Sequence, residues 1–348
     1  MDVIGSDSFS EKLAERLEAR HIKVERRLFP DGEVCPRLLA SPGNDVLLAE
    51  RLSLPLSPNR YLAEVLLIIK NLQAMKVENI SMVMPYYVYS RQDRSFRPGE
   101  PFSAKHVLEL LADSGVKRFF TVSSHIERFK SQLTAPMPAF NLDGYSILGE
   151  HMKGLNLNQP IVMGPDMTIS MAAERVASML GAENLSIEKT RDVDTGRLTV
   201  ESVNKDFKGR DVVIVDDIIS TGGTMLNAIK VAEDCYCGKV VIAAVHAVQQ
   251  KGIDLLKKHA WRVFATDTIN TPISEISVID KVAESVKSEG IGASIQGAES
   301  IEQEGKKQEP HADDDYTEIS ESKDSEASPK PEDSADQEPA EGAFSMFD

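Results

Sequence analysis

Short apolar runs rich in Val and Ile alternate along the chain with stretches in which apolar residues recur every three or four positions. The first pattern marks buried strands and the second amphipathic helices. It predicts strands at Val46–Leu52, Ile80–Tyr86, Arg118–Ser123, Ile161–Gly164, Asp211–Ile218, Lys239–Val248 and Arg262–Thr268. Helices are expected at Glu11–Arg20, Asn59–Met75, Ser103–Asp113, Ser170–Leu180, Met225–Cys235 and Ile253–His259. Such β–α alternation argues for an α/β protein with mainly parallel sheets covered by helices. It is too long for one small open sheet. The stretch from Asn141 to Gln159, rich in Asn and Gly, reads as the break between two halves, 1–142 and 143–290.

Beyond that point the pattern stops. Residues 291–348 hold 17 Asp or Glu against 4 Lys, and few apolar residues remain. This composition predicts a disordered acidic tail. The formal charge of −16 therefore sits mostly in the tail, and the first 290 residues are nearly neutral. No basic stripe favours nucleic acid. No apolar run is long enough to span a membrane, and no secretory segment opens the chain, so a cytoplasmic location is expected. Cys35, Cys235 and Cys237 lack the spacing of a zinc or thioredoxin-like motif.

The densest chemistry lies in VVIVDDIISTGGTM, Val212 to Met225. Apolar β-formers run into Asp216 and Asp217, then into a Ser-Thr-Gly-Gly-Thr turn and a helical pattern. A strand, a glycine loop and a helix start in that order present free backbone N–H groups to an anion. Two carboxylates would repel a phosphate, but they suit sugar hydroxyls or a magnesium ion. One loop thus offers both halves of a sugar-phosphate site. It is neither a Walker loop nor a dinucleotide fingerprint.

Other stretches are weaker singly. Phe29-Pro-Asp-Gly-Glu33 is a turn. Tyr89-Ser-Arg-Gln-Asp-Arg94 follows a predicted strand at the end where parallel sheets place ligands. Phe119–His125 and Ile161–Asp166 are strands delivering a histidine and a carboxylate. Leu185–Arg191 ends a strand with Lys189 and Arg191 two apart, on one face of an extended segment.

Together these motifs resemble ribose-phosphate diphosphokinase over roughly residues 1 to 285. Phe-Pro-Asp-Gly-Glu is similar to that family's adenine loop, and Tyr-Ser-Arg-Gln-Asp-Arg to its ATP motif. Ser220, where bacterial members carry Asp, looks like the archaeal branch. Ser123 stands where the family usually has Asp.

The resemblance implies two tandem type I phosphoribosyltransferase-like domains and transfer of a diphosphoryl group from ATP to ribose 5-phosphate. It implies ATP contacts from Phe29, Asp31, Glu33, Arg91, Gln92, Asp93 and Arg94. Asp216, Asp217, Ser220, Thr221, Gly222, Gly223 and Thr224 would bind ribose 5-phosphate. His125 and Asp166 would position Mg²⁺, and Lys189 and Arg191 would be catalytic. A homo-oligomer, a dimer or a multiple of dimers, is implied as well. The Asp-Asp and glycine loop alone also fits a nucleobase phosphoribosyltransferase, or a subunit that kept the fold and lost turnover.

Overall fold

In a computed structural model, which describes residues 1–187, 189–191, 198–200 and 206–291, the chain starts with β1 (Asp2–Gly5), α1 (Ser8–Leu17) and β2 (Arg20–Leu28). It continues through β3 (Val34–Leu38), β4 (Asp45–Ala49), α2 (Pro58–Ala74), β5 (Asn79–Val83), α3 (Ser103–Asp113), β6 (Val116–Val122) and β7 (Ala139–Leu142). These strands form one seven-stranded sheet, ordered β3-β2-β1-β4-β5-β6-β7. All pairs are parallel except the β2–β3 hairpin.

The second half contains α4 (Gly144–Lys153), β8 (Ile161–Gly164), α5 (Ser170–Leu180), β9 (Glu183–Ser186), β10 (Lys189–Arg191), β11 (Leu198–Val200) and β12 (Val212–Ile219). After these come α6 (Gly223–Asp234), β13 (Val240–Ala247), α7 (Gln250–Leu256), β14 (Arg262–Thr266), β15 (Ser274–Ile276) and α8 (Ile279–Ser288). Six strands make a wholly parallel sheet, ordered β15-β14-β13-β12-β8-β9. β10 and β11 pair antiparallel as a separate ribbon. The expected strand through Leu185–Arg191 is thus two strands, with Ile187 outside both.

The central strands read as continuous apolar runs because helices cover both faces. Val212, Val213, Ile214 and Val215 are all fully buried. One core joins the halves: Val3, Phe120 and Val122 from the first sheet share it with Val213, Val241 and Val245 from the second. The described residues all fall within one compact unit.

The stretch 141–159, expected as the break between the halves, runs from the last strand of the first sheet to just before the first strand of the second. It finishes β7 and then forms α4, capped by Asp143, whose carboxylate accepts from the N–H groups of Tyr145 (3.1 Å) and Ser146 (3.4 Å). Two of its three glycines answer to packing, while Gly154 ends the helix. A Cβ at Gly144 would lie 2.8 Å from Val245 Cγ1, and one at Gly149 would lie 2.6 Å from Met179 Sδ on α5.

Each sheet has a point where the strand order reverses, and open α/β sheets bind ligands at such points, beyond the strands' carboxyl ends. In the first sheet that point lies between β1 and β4, and the chain's own side chains close it. Glu50 accepts from Ser6 Oγ and Arg26 Nη2, each at 2.8 Å. Asp7 caps α1 and pairs with Arg51 at 2.5 Å. In the second sheet the reversal falls between β8 and β12, where the Asp166 and Asp216–Thr224 segments emerge.

Candidate active site

A cavity of about 510 Å³ opens at this second reversal. Asp216 is the last but three residue of β12 and half-buried, while Asp217 is buried. Ser220 to Thr224 wrap round the turn into α6. Gly222 adopts a φ of +81°, a left-handed conformation that glycine takes without penalty. It occupies the N-cap position of α6 and offers no side-chain cap, so the first-turn N–H groups face the cavity unblocked. The start of α1, by contrast, is sealed by the Asp7 carboxylate.

The opposite wall comes from the first sheet. Arg91, on the segment after β5, lines the cavity and donates from Nη1 to Ser220 Oγ at 3.4 Å. His125, just past β6, donates from Nδ1 to Asp217 Oδ2 at 2.6 Å. Arg128 meets the same carboxylate oxygen at 2.9 Å. Asp166, after β8, also lines the cavity, and its Oδ1 accepts from the Thr168 N–H (3.0 Å) and hydroxyl (2.6 Å).

The adjacent aspartates are electrostatically unequal. Burial and the neighbouring Asp217 charge push the Asp216 carboxyl well up. Burial would also raise Asp217, but the His125 hydrogen bond and the Arg128 charge hold it well below the usual carboxylate range. Behind them His246 is fully buried, with Nδ1 2.8 Å from Thr268 Oγ1 and Nε2 donating to the Ser123 carbonyl at 3.3 Å. Burial lowers it to about 4, so it stays neutral.

Two matches decide the family. Residues 3–115 match the model of the N-terminal domain of ribose phosphate pyrophosphokinase, and residues 137–277 match the phosphoribosyl transferase domain. The chain belongs to the ribose-phosphate pyrophosphokinase family. It is 33% identical over 293 residues to the ribose-phosphate pyrophosphokinase of Sulfurisphaera tokodaii, covering 80% of this chain and 97% of that one. It is 33% identical over 283 residues to the enzyme of that name from Pyrococcus furiosus, covering 81% and 99%. The crystal structure of phosphoribosylpyrophosphate synthetase from Mycobacterium smegmatis superposes with a TM-score of 0.68 at 27% identity, over 83% of this chain and 98% of that one.

Within this pyrophosphokinase fold the sequence-predicted residues divide into groups. Arg91, His125, Asp166, Asp216, Asp217 and Ser220 to Thr224 converge on one cavity. Gln92 lines an adjoining, more apolar cavity of about 560 Å³, walled by Leu52, Leu56, Tyr86 and Tyr89 and sharing Arg91 and Gln249 with the first. Asp93 and Arg94 line neither: Arg94 lies over the Phe96 ring and sits 3.7 Å from Asp93. Phe29, Asp31 and Glu33 form the exposed tip of the β2–β3 hairpin, outside both cavities. That tip is held by the Phe29 N–H donating to the Glu33 carbonyl at 2.9 Å. Lys189 and Arg191 are backbone members of β10, and their side chains lie outside the described residues. The acidic tail lies outside them too.

Ser123 does not face the cavity. It is buried, and its Oγ accepts from the Gly144 N–H at 2.9 Å. Sequence reasoning missed Arg128, Thr168 and Gln249, which all line the cavity. The signal for Arg128 was its place three residues after His125.

Proposed function

We propose that this cavity transfers the diphosphoryl group of ATP to the anomeric hydroxyl of ribose 5-phosphate, giving 5-phosphoribosyl 1-diphosphate and AMP. The uncapped start of α6 beside Asp216 and Asp217 carries the reading. The phosphate of ribose 5-phosphate rests on the N–H groups and hydroxyls of Ser220 to Thr224. Asp216 takes the sugar hydroxyls from the cavity wall, while Asp217 is held by His125 and Arg128. The anomeric oxygen then attacks the β-phosphorus of ATP in line, and the α,β-bridging oxygen leaves with AMP. Arg91, which reaches both cavities, neutralises phosphate charge, and the apolar cavity beside Gln92 accepts the adenine.

A divalent metal is expected of the family, and we assign Mg²⁺. Among the described residues no group of three or more His, Cys, Asp or Glu could hold a metal. Mg²⁺ needs no such cage, since one or two carboxylates, waters and substrate phosphates suffice. Asp166 on the cavity wall, with His125 beside it, fits that pattern. When bound, the ion neutralises charge on the phosphate oxygens. Lys189 and Arg191 are proposed as further catalytic cations.

The Phe29–Glu33 tip is proposed to reach the ATP site of another copy, making the enzyme a homo-oligomer built from dimers. Domain limits at 1–142 and 143–290 follow the two sheets. Among the described residues no helix is long and apolar enough to cross a membrane. The three free thiols fit a cytoplasmic setting.

The test is product analysis by phosphorus NMR with ATP, Mg²⁺ and ribose 5-phosphate. Sugar-dependent, equimolar AMP and phosphoribosyl diphosphate are expected. Consumption of added phosphoribosyl diphosphate with a nucleobase, and no AMP, would instead make the protein a transferase.

A further inference from the structure

Arg128 takes no part in the roles assigned so far beyond its contact with Asp217, yet no other side chain of the cavity touches as many of its parts. Nη2 lies 2.9 Å from Asp217 Oδ2 and 2.8 Å from His125 Nδ1. Two donors therefore converge on one carboxylate oxygen. Nη1 donates to the carbonyl of Thr168 at 3.2 Å. Thr168 is the residue whose N–H and hydroxyl hold the Asp166 carboxylate. One planar group thus ties the segments after β6 and β8 to β12, and these carry His125, Asp166 and Asp217.

The side chain is 13% exposed, and its Nε is buried with no hydrogen-bond partner. A buried donor left unmatched costs stability, so the guanidinium is not placed here for folding alone. A lysine could not replace it: an ammonium on a flexible stem lacks the rigid fork needed to reach Asp217 and the Thr168 carbonyl together. Arg128 also lines both the active cavity and a second one of about 440 Å³, walled by Lys130, Tyr145 and Arg175 among others. A small cation can therefore approach its position from either side.

We infer that Arg128 is a positioning residue of the transfer reaction, fixing Asp217, His125 and the Asp166 turn in one arrangement. It does not touch substrate itself. The inference rests on the reaction proposed above. Without the guanidinium, Asp217 keeps one partner instead of two and the Asp166 turn loses its tie to β12. Displacements on the order of 1 Å in such a site reduce turnover by about 100-fold.

The experiment compares wild type, Arg128→Ala and Arg128→Lys in AMP formation, with ATP affinity measured separately by calorimetry. Arg128→Ala is expected to lower kcat/KM for ribose 5-phosphate by about 100-fold while ATP affinity stays within threefold. Millimolar guanidinium chloride should restore at least tenfold of the lost activity, and sodium chloride at equal ionic strength should not. Arg128→Lys should keep the melting temperature of the wild type and still lose activity. Kinetics of either variant within twofold of wild type would overturn the inference. So would a loss in Arg128→Ala that guanidinium repairs no better than sodium does. Should Arg128→Ala fail to fold, Arg128→Lys alone decides, through its activity at unchanged melting temperature. An inactive wild type would instead overturn the proposed reaction, and the two failures are thereby told apart.

Discussion

Gly252, the third residue of α7, packs against the Ser220–Thr224 loop proposed to hold the sugar phosphate, and replacing it with alanine tests whether this contact positions the loop. A Cβ built there lies 1.9 Å from the Ser220 carbonyl oxygen, 2.9 Å from its carbon and 3.1 Å from the carbonyl carbon of Thr221. Ordinary contact begins near 3.4 Å, so the loop backbone must retreat by about 1.5 Å. The obstacle is backbone, which no rotamer change relieves. Nor can α7 yield easily, because Ile253 and Leu256 on it are fully buried. The retreat displaces the peptide groups that lead into the turn proposed to bind phosphate.

Overpacking of this kind costs about 1–3 kcal/mol, and the better helix propensity of alanine offsets about 1 kcal/mol of it. Gly252→Ala should therefore fold, with melting lowered by a few degrees at most. Its kcat/KM for ribose 5-phosphate should fall by about 100-fold, as expected for a misplacement of 1 Å or more. The Michaelis constant for ATP should move much less. Lys251→Ala, at the exposed neighbour, is the control. Steady-state kinetics at saturating ATP make the measurement. Wild-type kinetics in Gly252→Ala would refute the argument that this contact positions the loop.

Three further outcomes follow from the geometry. Asp216→Asn should raise the Michaelis constant for ribose 5-phosphate with little effect on melting, whereas Asp217→Asn should also lower stability, by about 3 kcal/mol, because it leaves Arg128 without its counter-charge; equal melting of the two variants would contradict the division of roles. Buried His246 titrates at about 4 instead of 6.5, so its contribution is complete above 6.5 and is lost as pH falls, by at most about 3 kcal/mol. Glu50, raised by burial to about 7 from 4.5, has the opposite sign: its contribution is complete below 4.5 and is lost as pH rises to 7. Urea midpoints between those limits should change little for wild type, fall with acid in Glu50→Gln and rise with acid in His246→Gln; identical slopes in both variants would refute this. Removing residues 292–348 should leave turnover nearly intact, since the cavity and the cores of the described residues do not involve them, while a further cut after Ser277 should unfold the protein by removing buried Val282, Ala283 and Val286 of α8. Circular dichroism and AMP formation on both truncations check it.

Local pattern by itself determined the central strands and the glycine turn after Ile219. Val212 to Val215 are apolar because both faces of a parallel strand are covered, and the glycine turn after the strand has one conformational use. The fold class and the residues of the Asp216–Thr224 loop were legible for that reason. β2 was not legible, since its Arg and Lys positions alternate with few buried ones and the strand pairs at the sheet's edge region. α4 was hidden because Gly144 and Gly149 look like turn residues, while they are small to admit Val245 and Met179, which are distant in sequence. Arg128 was hidden for the same kind of reason: its partners come from three strand ends. Both halves contain a strand-order reversal of the sort that binds ligands. Only the tertiary structure decided between them, by filling the first with the Glu50, Arg26, Asp7 and Arg51 side chains and leaving the start of α6 in the second uncapped. Charge pairing across a fold depends on which chain segments meet, and no local pattern carries that information.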